Sequence, residues 1–148
     1  MYKPDYSPNT FFHWHQIPVR FRDIDALNHL NNAVFNTFYE EARIHFILSI
    51  PEFSNSFEDG KSFVLIKSTI EYLKPILYPS TILVGTSCLS VGNTSVEAMQ
   101  ALYNAETKAL HSVAVTKGVW FDVHRNRPAR VPDVQHLEAM IFKPNLNG

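Results

Sequence analysis

Apolar and polar positions alternate from residue 15 onward, where Ile17, Val19 and Phe21 interleave with Gln16, Pro18, Arg20 and Arg22. A period of two predicts a half-buried strand. Pro18 lacks the donor a sheet ladder needs, which predicts an edge position or a bulge there. After Asn31 and Asn32 the period changes. Phe35, Phe38, Tyr39, Ala42 and Phe46 recur at helical spacing, and Val34 and Ile47 widen the stripe. Either asparagine can act as the N-cap. Ile44 and Leu48 place further apolar side chains around the circumference, predicting a helix covered on most sides. Pro51 is expected to end it.

A polar stretch over 51–61 predicts a loose connection. Strands follow over 63–73, 81–91, 95–103 and 110–123, with Gly92-Asn93 as a hairpin turn and a polar turn over 104–108. On the last of them Val113, Val115, Val119, Phe121 and Val123 share one side of the pleat. Val134, Leu137 and Ile141 suggest a short helix over 132–142. The order is a strand, one long helix and four strands joined by short turns. That predicts an α+β fold in which an antiparallel sheet of about five strands packs on a single helix and curls round it. Residues 1–148 read as one domain, its core over about 13–132.

Charge and composition remove several classes of function. Lys plus Arg (13) nearly balances Asp plus Glu (14), which argues against general affinity for nucleic acid. No apolar run reaches membrane-spanning length, and the first residues lack the basic and apolar segments of a signal peptide. The single cysteine, Cys88, cannot form an internal disulfide and reads as a packing residue. A soluble, cytoplasmic protein is expected.

The chemistry concentrates in VRFRDIDALNHLNNAVFNTFYEEAR, residues 19–43. It places Asp23, Asp25 and His29 in the loop that feeds a helix N-terminus. Free N–H groups and the positive end of the helix dipole make that terminus a site for developing negative charge. A carboxylate beside it could attack an activated carbonyl, or deprotonate water against it. Equally, Asp23 and Asp25 could be turn formers and Asn31 a plain cap.

This stretch resembles the signature of the hotdog-fold acyl-CoA thioesterases of the 4-hydroxybenzoyl-CoA thioesterase-like family. Their pattern runs V-R-[FYW]-x-D-x-D-x-x-G-H-V-N-N-x-x-Y, followed by an aromatic-Glu-x-A-R segment. Here it reads VRFRDIDALNHLNN and then Tyr39, Glu40, Glu41, Ala42 and Arg43. IEYLKPILYP (70–79) is similar to the family's Y-x-x-P segment, and FDVHRNRPARVP (121–132) to its closing strand and exit. The resemblance implies an acyl-CoA thioesterase that needs no cofactor. Asp25 would be its nucleophile or general base, and the Asn32 backbone N–H its oxyanion donor. His29 would orient the loop or donate to the substrate, with Glu41 as a second candidate carboxylate. A homodimer or homotetramer is implied, its sheets joined edge to edge and its active site shared. The substrate would be an acyl-CoA or the pantetheine of an acyl-carrier protein. No G-x-S-x-G elbow is present.

Asn28 stands where the family has glycine. Asparagine tolerates a positive φ, so the loop can keep its shape, but its side chain could crowd a substrate. A non-catalytic acyl-CoA or acyl-carrier-protein binding module is the alternative that this position favours. A hotdog hydratase is a further one, although no hydratase motif is present. Asn28, Asn31, Ser68 and Thr69 are candidate substrate contacts, the last two as positioners of water. Arg125 and Arg127, with Arg130 beside them, form either a solvated turn or a dock for coenzyme A phosphates. Glu40 and Arg43 are spaced for a structural ion pair. His13 and His15 share a strand face but lack a third metal ligand nearby in sequence, so no metal site is expected.

Overall fold

The computed structural model describes residues 1–144. Chain order is β1 (His13–Pro18), α1 (Asn32–Leu48), α2 (Pro51–Ser54), β2 (Lys61–Tyr72), β3 (Thr81–Val91), β4 (Ser95–Asn104), β5 (Leu110–Asp122), β6 (Arg127–Pro128) and α3 (Leu137–Met140). The strands form one antiparallel sheet in the order β1-β3-β4-β5-β2, and β6 adds a short pair to β5. Pro18 lies on edge strand β1, as its missing donor requires. Phe35, Phe38, Tyr39 and Ala42 of α1 pack against Ile17, Ile82, Val84, Leu102 and Ala114 from four strands. Further along α1, Phe46 joins Phe53, Cys88, Trp120, Val131 and Met140. Burial pushes the Cys88 thiol up to about 11, so it stays protonated and packs as an apolar residue.

Several expectations need correction. β1 stops at Pro18, and a 3-10 turn over Phe21–Asp23 follows, leaving Phe21 73% exposed instead of on the core face. The 51–61 segment is not loose throughout. Pro51 opens α2, where a missing N–H costs nothing, and Phe53 seats against Phe63 and Trp120. α1 is covered on one side only, with Ile44 and Leu48 about half exposed. The expected helix over 132–142 shrinks to Leu137–Met140. His136 sits just before it at φ 61, a left-handed break, and the spacing of Val134, Leu137 and Ile141 serves to anchor the tail on the Phe46 cluster.

The outer face of the sheet is not bare. Val113 of β5 lies there with Met99, Ala101 and Tyr103, covered by Phe11 and Phe142. Gly85 is needed at this point, since a Cβ would strike the Phe11 ring. The Tyr103 hydroxyl donates to the Pro4 carbonyl at 2.7 Å, and the Trp14 indole to Pro8 at 3.1 Å. The first twelve residues are thereby strapped across the sheet.

Candidate active site

The loop between β1 and α1 is built on its own hydrogen bonds. Asp23 is buried and grips Arg20 twice, Oδ1 accepting from Nη2 at 2.9 Å and Oδ2 from Nε at 3.2 Å. Burial alone would raise this carboxyl. The side-chain and backbone hydrogen bonds from Arg20, with the charges of Arg20 and Arg22, outweigh that and hold it below the ordinary carboxylate range. Asp23 is therefore a structural anchor, and its carbonyl also accepts from the Asn31 N–H at 3.0 Å.

Asp25 is used differently. Its Oδ1 accepts from the N–H groups of Leu27 (2.9 Å) and His29 (3.1 Å), which fixes the side chain, while the Asp25 N–H donates to the His29 carbonyl at 2.8 Å. Among the described residues no donor reaches Oδ2. Asn28 turns the loop at φ 62, the conformation that the glycine-to-asparagine difference anticipated. Its side chain is exposed and does not line the cleft next to Asp25.

Asn31 is the N-cap of α1, with Oδ1 accepting from Ala33 N–H at 3.0 Å. Asn32 is the first residue of the helix. Its N–H has no intrahelical acceptor and, among the described residues, no other partner. Asp25, His29, Asn31 and Asn32 line one cleft of about 500 Å³, closed on its other side by Phe35, Tyr72 and Lys74. A fixed carboxylate with one free oxygen thus shares a cavity with an open amide at a helix N-terminus. That arrangement can attack an acyl carbon and receive the charge that appears on its oxygen.

The remaining candidates fall elsewhere. Ser68 pairs in register with Thr116 on the helix-facing side of the sheet, but neither Ser68 nor Thr69 reaches the cleft. Thr69 pairs with Val115 and faces away, because the pleat reverses at each residue. The β2 residue that does reach it is Tyr72, whose hydroxyl donates to the Asn32 carbonyl at 3.3 Å and whose ring meets Phe35 edge-on at 5.0 Å. Sequence reasoning used Tyr72 only as part of the Y-x-x-P match and missed this role.

Glu41 lies on the β1 side of α1, away from the cleft, and its Oε2 bonds His15 Nε2 at 2.8 Å. His45 stacks on His15 with ring centroids 3.9 Å apart. His13 and His15 do share a face, yet among the described residues no three His, Cys, Asp or Glu side chains are grouped to hold a metal. Arg43 does not pair with Glu40. It reaches the sheet instead and donates to Gln100 Oε1 at 3.2 Å. Arg125 and Arg127 line a shallow hollow with Lys61, Asp122 and Arg130. Lys61 opens β2 and Tyr72 ends it, so within one chain this basic cluster is about 36 Å of strand from the cleft.

Comparison with known proteins agrees with the fold. The model of the thioesterase-like superfamily matches residues 19–138. The acyl-CoA thioester hydrolase YbgC of Escherichia coli is 30% identical over 125 residues, covering 83% of this chain and 91% of its own. The PA2801 protein of Pseudomonas aeruginosa superposes with a TM-score of 0.76 at 29% identity, covering 83% of this chain and 94% of that one. A thioesterase from Thermus thermophilus, solved in complex with coenzyme A and Zn, is 31% identical with a TM-score of 0.72, over 84% of this chain and 88% of its own. No helix among the described residues is long and apolar enough to cross a membrane. From the aspartate-bearing loop to the sheet curled on α1, this chain has the hotdog fold and belongs to the thioesterase-like superfamily.

Proposed function

We propose that this protein hydrolyses the thioester bond of an acyl-CoA, with Asp25 and the Asn32 N–H as its working groups. The observation that carries the proposal is the single cleft lined by both, which holds the free Asp25 oxygen and the unpaired amide. The substrate carbonyl oxygen points at the Asn32 N–H, where one such donor is worth about 3 kcal/mol in the transition state. Asp25 then acts in one of two ways. As nucleophile, its Oδ2 bonds the acyl carbon, the C–S bond breaks, and coenzyme A leaves as a thiolate that takes a proton from solvent. Water subsequently cleaves the mixed anhydride. As base, Oδ2 accepts a proton from water while the water oxygen bonds the acyl carbon and the same C–S bond breaks. His29 holds the loop through its own N–H and carbonyl.

Support for the substrate comes from the named relatives, an acyl-CoA thioester hydrolase and a thioesterase that binds coenzyme A. Expected outcome: thiol release from an acyl-CoA panel falls at least about a hundredfold in Asp25→Asn and Asp25→Ala, with thermal unfolding unchanged. Equal turnover in both variants and wild type would remove Asp25 from the mechanism. Tight binding of a non-hydrolysable thioether without thiol release from any acyl-CoA would instead support a binding module.

The proposal includes a dimer. β2 is the far edge of the sheet, and Val64, Leu65 and Ile66 on it are exposed. Antiparallel pairing of two β2 strands about a two-fold axis satisfies both edges. It also carries the Arg125 and Arg127 end of one chain to the Tyr72 end of the other. The basic cluster, remote from Asp25 in its own chain, then lies beside the partner's cleft, suited to coenzyme A phosphates.

A further inference from the structure

A second cavity, of about 300 Å³, lies between the C-terminal half of α1 and the inner face of the sheet. It exists because the sheet carries small side chains there: Gly118 on β5, Ala98 on β4 and Cys88 on β3. Opposite them stand Ile44 and Ile47 of α1, and the aromatic pair Phe53 and Phe63 closes the far end. Gly118 is informative because glycine weakens the middle of a strand and marks places where something approaches closely. No neighbour demands it: an added Cβ would meet only Phe63, at 3.5 Å or more.

The same two elements wall both cavities. α1 runs from Asn32 at the cleft to Ile44 and Ile47 at the second cavity, and β2 runs from Tyr72 back to Leu65 and Phe63. Ser68 and Ile70 floor the strand between, on the helix-facing side. Building on the thioesterase reading above, we propose that the α1–β2 groove seats an aliphatic acyl chain, its thioester at Asp25 and Asn32 and its tail in the cavity over Gly118 and Ala98.

Helix rise fixes the length of that chain. Glu40, at the near wall, is about 12 Å along α1 from Asn32, and Ile47, at the far wall, about 22 Å. An extended alkyl chain advances ~1.25 Å per carbon from ordinary C–C bond geometry. About ten carbons therefore reach the cavity and about eighteen span it, whereas an aromatic acyl group stops short. Each methylene entering an apolar wall is worth about a fourfold gain in kcat/KM.

The test measures thiol release from straight-chain acyl-CoAs of four to eighteen carbons and from benzoyl-CoA, with wild type, Gly118→Phe and Ala98→Phe. A fluorescent sixteen-carbon fatty acid is titrated into each protein in parallel, and subunit mass is recorded. Wild type is expected to gain steeply from about ten to about eighteen carbons. Both variants are expected to lose that gain, at least about fiftyfold at sixteen carbons, while hexanoyl-CoA turnover stays within about twofold and fatty-acid binding is lost. A wild-type profile flat beyond eight carbons, or unchanged in two folded variants, overturns the proposal and leaves the thioesterase reading standing. So does a change in subunit mass with the profile intact, which would assign the cavity to a second copy of the chain. Should no acyl-CoA be cleaved at all, the thioesterase reading fails, and the fatty-acid titration still decides for or against the cavity.

Discussion

The Asn32 N–H can be deleted without disturbing the helix it begins. Proline is well suited to the first helical position, where its missing donor breaks no bond. Asn31, at φ −60 and ψ 133, already has the extended backbone required before a proline. Asn32→Pro is expected to lower kcat about a hundredfold or more with the helical circular-dichroism signal unchanged, while Asn32→Ala, which keeps the N–H, stays near wild type. Equal activity of the two variants would take the amide out of the mechanism. His13 supports a pH prediction. Burial holds its imidazole below its ordinary range, followed by the charges of His15 and His45, and its buried Nδ1 has no hydrogen-bond partner. Glu41, facing the same cluster from α1, bonds His15 and not His13. Folded His13 is thus neutral where the unfolded chain begins to take a proton, near pH ~6.5. Stability is expected to fall as pH drops below about 6.5 until the lowered folded-state value is passed. The fall in urea midpoint across that window should be smaller in His13→Leu, with His111, also held low by burial, supplying a remainder. At this scale the sequence pointed to the loop over 23–31 as the candidate site and anticipated the positive φ of Asn28. Spacing alone left both aspartates open as turn formers and only the resemblance pointed to Asp25; the physical difference is made by Arg20, which clamps Asp23 and leaves Asp25 with a free oxygen.

Elements whose side chains repeat against a continuous partner were legible along the chain, and those anchored at scattered points were not. β3 spans the residues expected of it, and α1 begins at the asparagine pair. α3 fell short because three apolar residues at helical spacing also suit an extended tail with three footholds. Ser68 and Thr69 were both expected as contacts, but adjacent residues of a strand point to opposite faces, and Thr69 takes the outer one. The cap of α1 links element to site, since Asn31 both satisfies Ala33 and presents Asn32 to the cleft. Asn31→Ala is expected to cost about 1 kcal/mol, a fall of about 3 °C in Tm, with a further loss of turnover as the first turn frays. Unchanged melting would show that the cap bond contributes little.

Two features of the whole molecule bear on the proposed dimer. β2 leaves a row of unpaired backbone groups beside exposed apolar side chains, and the basic cluster lies a full strand from the cleft it would serve. Residue patterns alone carry neither relation, since the aspartate loop and the arginines are distant segments; only the resemblance implied edge pairing and a shared site. Ile66, 58% exposed at the β2 irregularity, is the place to intervene. Sedimentation of the wild type is expected to give twice the 17.0 kDa chain mass. Ile66→Lys should shift it toward a single chain and weaken coenzyme A binding with it. A wild type that sediments as a lone chain would refute edge pairing.

The strap formed by the first twelve residues bears on larger assemblies. With Phe11, Tyr6 and Trp14 laid over Met99, Tyr103 and Val113, that part of the convex surface is already thatched by the chain itself. A second molecule therefore meets no naked sheet there to stack against. Trimming the lead-in would bare a greasy plate inviting indiscriminate clumping.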